Sequence, residues 1–414
     1  MTFENANVRG GDGTGGGPLQ GVRIVDLTTM GMGPYATQIL ADLGADVIKV
    51  EAPDGDAVRR VGPMRHPGMG AGFLTLNRNK RSVVLDLKQP DGLAAFRELL
   101  KDADALVYNV RPAAMARLGL DHDSVAAINP RLVYCGLYGF RQDGPYGEKP
   151  AYDDMIQGLS ALPSLFAQAG DGSPRYVPMA LADQAVGLVG VYALMGALLA
   201  RERTGRGQAV DVPMFESMAQ FVMTLHTGGA TFDPPMGATG FQRHLAPERR
   251  PFATADGFIC MLLYTDLQWA RFFELIGQPQ LRDDPRFRGV TERGRHVGPL
   301  YAMIAETFAA RPTAEWMTLL AAADIPAMPL HTLDSLLADP HLAEIGFFEW
   351  VEHPTEGRIR TMDVPTRWSD TPPQVRRQAP ALGQHSVEVL REAGLSQDRI
   401  ERLLAAGVTR QDGA

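Results

Sequence analysis

From Val22 onward the chain alternates short runs rich in apolar and β-branched residues with stretches of helical period. Val22–Leu27, Asp46–Val50, Ser82–Leu85, Ala105–Tyr108 and Leu132–Leu137 read as strands, with Ala209–Val212 as a further one. Tyr35–Leu43 and Asp91–Lys101 read as helices between them. Strand and helix in alternation imply an α/β fold with a doubly wound parallel sheet, covered on both faces. Ligands of such sheets lie at the carboxyl ends of the strands, so the loops there are where chemistry is expected.

The pattern changes after Phe221, where Pro and Gly cluster at Asp233-Pro234-Pro235 and Pro247–Pro251. Pro251–Thr254 and Phe258–Leu263 flank Ala255-Asp256-Gly257, a hairpin signal. A helix follows over Asp266–Ile276, with Trp269, Phe272, Phe273 and Ile276 on one face and Gly277 as its stop. Helical patterns at Leu300–Ala310 and Thr313–Ala323 complete a smaller α+β domain, and Gln384–Gly407 carries two more helices around Gly394.

At roughly 150 residues per domain, 414 residues leave room for two or three domains. Forty Lys and Arg against 48 Asp and Glu give a formal net charge of −8 with no long run of like charges. That balance argues against nucleic-acid and membrane partners and for a small molecule. Cys135 and Cys260 form no C-x-x-C, so no disulfide framework or zinc ribbon is expected, and the compartment reads as the reducing cytoplasm. Residues 1–17 are Gly-rich with Glu4 and Asp12, which reads as a flexible tail rather than a secretory signal. Ala185–Ala200 is 16 uncharged residues closed by Arg201, Glu202 and Arg203. A bilayer needs about 20, so a buried core helix is expected.

Candidate chemistry sits in the loops. Gly31-Met32-Gly33-Pro34-Tyr35-Ala36 follows the first strand as G-x-G-x-x-A, with Glu51 twenty residues on. This matches a dinucleotide fingerprint, another phosphate-binding turn, or a purely structural strand-to-helix turn, and all three put N–H groups at a helix start. Asp183 lies among small and apolar residues just before the Ala185–Ala200 helix. It reads as an N-cap, or as a carboxylate kept ionised by the helix dipole and able to act as a nucleophile. Tyr152-Asp153-Asp154 opens another helix, where the phenol can donate a hydrogen bond or an Asp can cap. Lys80, Arg81, Lys88, Arg111 and Arg117 read either as phosphate contacts or as solvated surface charge. No H-E-x-x-H, G-x-S-x-G or Walker A loop occurs, which disfavours metal catalysis and a serine nucleophile.

Six stretches in order resemble the family III CoA-transferases, the group containing formyl-CoA transferase, carnitine CoA-transferase and α-methylacyl-CoA racemase. They are Gly21–Leu27, Leu43–Glu51, Asn79–Ser82, Asn109–Pro112, Thr204–Gln208 and Ala379–Gly383, within a resemblance running from Leu19 to Val408. The resemblance implies a Rossmann-like large domain over 18–224, a small domain over 225–335, and a segment 336–414 returning to the large domain. It also implies an interlocked homodimer of ring-like chains, and acyl-CoA and a small carboxylic acid as substrates with no prosthetic group. By the same resemblance the loop after the first strand approaches CoA rather than a dinucleotide.

Residue by residue, the resemblance makes Asp183 the catalytic carboxylate that forms acyl anhydride and CoA thioester intermediates. Met30, Gly31 and Met32 align with the loop beside the pantetheine, where transferases often carry Gln at the position of Gly31. Leu85, Lys88, Asn109, Val110 and Arg117 align with CoA contacts, Lys88 and Arg117 being the phosphate neighbours. Ala52 stands where formyl-CoA transferase has Arg, so part of the nucleotide grip differs. The racemases carry His-Asp where this chain has Tyr152-Asp153. A phenol, with an ordinary pKa of about 10, is a poor base at neutral pH. The expectation is therefore a CoA-transferase using Asp183 with Tyr152 nearby, with an acyl-CoA racemase or an NAD-dependent oxidoreductase as alternatives. Gly228-Gly229 and Gly237–Gly240 are the candidates for a glycine-rich loop covering the intermediate.

Overall fold

The computed structural model describes residues 16–412, so most of the expected tail at 1–17 lies outside the described residues. Six parallel strands form the main sheet. They are β1 (Arg23–Leu27), β2 (Asp46–Glu51), β3 (Lys80–Val84), β4 (Ala105–Tyr108), β5 (Val133–Tyr138) and β6 (Ala209–Pro213). Every residue of β3, β4 and β5 is buried; β4 and β5 are near-apolar runs without alternation, whereas β3 opens on the buried Lys80 and Arg81. The spatial order is β3-β2-β1-β4-β5-β6. Strand order therefore reverses between β1 and β4, and the carboxyl ends of these two strands flank the crevice where doubly wound sheets bind ligands.

Two compact units share the described chain, the first holding residues up to 160, 177–220 and 341 onward. Its core joins Val25, Ile48, Val83 and Leu106 of the sheet to Phe96 and Leu99 of the helix Pro90–Lys101. The C-terminal helices Ser386–Glu392 and Gln397–Ala405 add Val389, Leu390, Ile400 and Leu403 to the same core. Backbone bonds tie this segment to the sheet edge: Asp86 N–H donates to Val408 O at 2.9 Å, and Thr409 Oγ1 donates to Val84 O at 2.6 Å.

The second unit comprises residues 161–176 and 221–340. The segment 161–176 had been expected in the large domain. It belongs here because its helix, Leu162–Ala169, packs against the short helix Gln242–Leu245. The other junctions fall at 220/221 and 340/341, four or five residues from the expected 224/225 and 335/336. The unit's antiparallel sheet is β7 (Phe252–Ala253), β8 (Phe258–Met261) and β9 (Ala327–Pro329). An aromatic core of Trp269, Phe272, Phe273, Phe308 and Trp316 backs it, with Phe308 and Trp316 edge to face at 4.7 Å. Within this unit the two glycine pairs meet: Gly229 N–H donates to Ala238 O at 3.0 Å, and Met236 N–H to Gly229 O at 3.0 Å. They pinch the base of a closed loop, since a Cβ on Gly229 would overlap the Gly237 backbone. Phe232 and Met236 stand exposed on that loop.

The apolar stretch around Ala185–Ala200 is one helix over Leu181–Thr204, 24 residues long, which length and composition alone would allow to cross a membrane. Only one face is buried, so the expectation of a buried helix is corrected. Gly187 and Gly190 let that face close on its neighbours: a Cβ at Gly187 would meet Tyr35 at 3.0 Å, and one at Gly190 would meet Leu137 at 2.8 Å. Leu188, Tyr192 and Leu199 on the other face are at least half exposed. An antiparallel hairpin, β10 (Phe348–His353) and β11 (Gly357–Met362), had not been expected.

Candidate active site

Three consecutive backbone units after β1 are each gripped by a side chain from a different place. Lys49 Nζ of β2 donates to Thr28 O at 2.8 Å. Asn109, just past β4, accepts from Thr29 N–H at 3.0 Å and donates to Thr29 O at 2.8 Å. Asp56 accepts from Met30 N–H at 3.1 Å and pairs with Lys49 at 2.8 Å. Met30 is thereby held at φ 69°, a left-handed backbone that a residue with a Cβ rarely adopts. Beneath the loop lies a second buried pair, Lys80 with Asp26 at 3.0 Å, and Asp26 also accepts from Thr28 and Thr37. Burial alone would push Asp26 up, but the Lys80 and Lys49 ammoniums beside it hold it at about 2.

The loop ends at Gly31, before the helix Met32–Asp42, and there it meets Asp183. A Cβ on Gly31 would overlap Asp183 Oδ2. The carboxylate fills the space that a side chain at position 31 would take. Gly33 plays the same part toward Thr28 two residues on, so both glycines of the G-x-G serve close packing.

Asp183 does not cap its helix. Ala180 occupies the N-cap without a side-chain bond, and Asp183 sits in the first turn beside Ala182 and Val186, which are wholly buried. The orphan N–H of Asp183 is instead satisfied across space by Asp153 Oδ1 at 3.0 Å. Gln157, fully buried, fixes Asp153 by donating to Oδ2 at 2.6 Å, while its own carbonyl accepts from Val177 N–H at 2.9 Å. Burial, and then the Asp153 charge, push the Asp183 carboxyl up to about 6. At neutral pH the group is still mostly ionised, and it is more basic than an ordinary carboxylate.

Gly31→Ala is expected to swing the Asp183 carboxylate out of line and slow turnover by about 10²-fold. Thermal stability should change little, because only the far end of a flexible side chain has to move; steady-state kinetics and a melting curve check both. Asp153→Asn removes the neighbouring charge, so the acid limb of the pH–rate profile should fall below about 6. A limb that stays in place would exclude Asp153 as a cause of the raised value.

The remaining expected residues are placed as follows. Tyr152 is the N-cap of the helix Asp153–Leu159 and is 69% exposed. Met30 is exposed and Met32 buried. Leu85 is 1% exposed within the core, so its side chain is not a ligand contact as expected. Val110 is half-buried against that core, and Lys88 and Arg117 are exposed. Asn109 has its amide occupied by Thr29.

The dinucleotide reading fails on Glu51. Its carboxylate is buried, with Arg59 donating to both oxygens at 2.7 Å and Ser82 at 2.7 Å, which leaves nothing for a ribose. Lys80 and Arg81 are likewise not solvated surface charge: both are buried, and Arg81 joins Asp46, Glu388 and Glu392. Sequence reasoning missed Lys49, Asp56 and Gln157. The available signal was a charge inside an apolar strand, as in Val47-Ile48-Lys49-Val50, which burial makes costly unless it is paired.

The family model described as CoA-transferase family III matches residues 19–386. Succinyl-CoA:glutarate CoA-transferase of Mus musculus is 31% identical over 396 residues, covering 95% of this chain and 91% of the relative. Formyl-CoA:oxalate CoA-transferase of Streptomyces avermitilis is 33% identical over 411 residues, covering 94% and 99%. The crystal structure of a CaiB/BaiF family protein from Brucella suis superposes with a TM-score of 0.77 at 31% identity, covering 91% of this chain and 100% of that one. A match across nearly the whole length, on a sheet whose crevice presents a half-buried carboxylate, places the chain in CoA-transferase family III.

Proposed function

We propose that this chain moves coenzyme A from an acyl-CoA donor to a small carboxylic acid through covalent intermediates on Asp183. The observation that carries the reading is the Asp183 carboxylate, half-buried against Gly31 with its pKa raised to about 6. Desolvation makes it a stronger nucleophile while leaving it charged at neutral pH.

In the proposed sequence Asp183 attacks the thioester carbonyl, the C–S bond breaks, and CoA leaves as thiolate. The thiolate then attacks the Asp183 carbonyl of the mixed anhydride, releasing the donor acid and leaving an aspartyl-CoA thioester. The acceptor carboxylate attacks that thioester, and the same two exchanges in reverse deliver acyl-CoA and free Asp183. Each step swaps one acyl–oxygen or acyl–sulfur bond for another, so no redox change is required. Holding the carboxylate in line can supply about 7–11 kcal/mol of the barrier reduction. The loop after β1, gripped at three successive residues, supports that role for the wall behind Asp183. CoA bound at the crevice would place Met30, Lys88 and Arg117, all exposed, near its path.

The names of the two relatives pair succinyl-CoA with glutarate and formyl-CoA with oxalate, so short dicarboxylic acids are the first acceptors to try. A homodimer is part of the proposal, supported by the uncovered apolar face at Leu188, Tyr192 and Leu199. Racemisation is the less favoured reading, because the exposed Tyr152 stands where a second acid–base group is needed. The deciding experiment incubates the protein with a panel of acyl-CoAs and seeks an adduct on the Asp183 peptide by mass spectrometry, with α-proton exchange in deuterated water run alongside. An adduct that turns over only with an added carboxylate supports transfer. Exchange without any acceptor, and no adduct, would overturn it.

A further inference from the structure

We propose that Asn109 is a positioning residue for Asp183, acting through the Thr28–Gly31 loop. The inference rests on the transferase reading and assigns Asn109 a part beyond the CoA contact that the family resemblance implies. Three observations carry it. The Asn109 amide is engaged on both sides, its oxygen by Thr29 N–H at 3.0 Å and its nitrogen by Thr29 O at 2.8 Å. This pair bridges the crevice between the ends of β1 and β4, where the strand order reverses. Two residues later the same loop presents Gly31, with no room for even a methyl group before Asp183 Oδ2.

The loop is thus a wall whose position decides where the carboxylate can lie. Lys49 and Asp56 hold Thr28 and Met30 from the buried side. Asn109 alone of the three grips the loop from the half-exposed side of the crevice, and Thr29 is itself exposed. Its two bonds are accessible to water, so their loss leaves the fold intact while freeing one edge of the wall. A reacting carboxylate misplaced by about 1 Å loses about 10²-fold in rate.

Asn109→Ala tests this through two separate readouts on the full-length protein: the dissociation constant for a donor acyl-CoA by calorimetry, and the single-turnover rate of adduct formation on Asp183 at saturating acyl-CoA. Positioning predicts a rate at saturation lowered about 10²-fold, whatever the change in the dissociation constant. Asn109→Asp, which keeps the acceptor for Thr29 N–H but loses the donor to Thr29 O, should fall between Ala and wild type. If Asn109→Ala fails to fold, Asn109→Asp carries the same two readouts. A dissociation constant raised tenfold with a normal saturated rate would make Asn109 a ligand contact only and overturn the proposal. So would both quantities unchanged. Wild-type protein that forms no adduct at all would sink the transferase reading instead, which keeps the two failures distinct.

Discussion

Asp183→Asn should abolish transfer, lowering turnover by at least about 10³-fold, as removal of a nucleophile does elsewhere. The same substitution should make the protein more stable. Asp183 ionises near its ordinary value of 3.8 when unfolded and at about 6 when folded. Between those two values the folded state holds more protons than the unfolded one, so stability falls as pH rises through that window. At neutral pH the charge costs up to about 3 kcal/mol, less whatever solvent at this half-buried site screens. An uncharged amide escapes that cost, so the melting temperature of Asp183→Asn should exceed that of wild type above pH 6 and converge with it near pH 4. Thermal melts across pH, beside a transfer assay, check both halves. A variant that is inactive and less stable at neutral pH would show that Asp183 supports the fold rather than strains it.

Lys49→Met should be the most destabilising single change near the site. Lys49 and Asp56 pair at 2.8 Å with both side chains wholly buried, and Lys49 also faces Asp26. Removing the ammonium while keeping the chain length leaves Asp56 buried without its counter-charge, which costs about 3–5 kcal/mol. It also releases Thr28 O. Denaturant titration should show a lower midpoint with an unchanged slope, and the remaining folded protein should turn over more slowly. Replacing the pair with two apolar residues would be far milder, because the penalty comes from the unpaired charge rather than from the loss of attraction.

The parallel sheet was legible because its strands are short apolar runs, and burial on both faces leaves them no other pattern. Position 183 was legible as a charge among small apolar neighbours. What it does there was not, because Asp153 lies 30 residues away and meets it only after two helix starts converge. The same holds for Glu51, whose spacing imitates a ribose contact until Arg59 and Ser82 are seen to occupy it. Residues 161–176 carry a helical pattern that fits either unit, and only packing assigns them. The hairpin at β10 and β11 was hidden by strands of mixed polarity with only His353 buried, whose turn at Pro354-Thr355-Glu356 lacks the usual two-residue signature.

Because Val408 and Thr409 bond back to Asp86 and Val84, the outer edge of the main sheet is closed by a segment 325 residues further along the chain. A folding chain can pair β1, β2 and β3 early, yet the rim beside them stays open until that distant segment arrives. Loss of that segment would leave the outer edge of β3 bare, an open row of backbone groups on which other chains can pair.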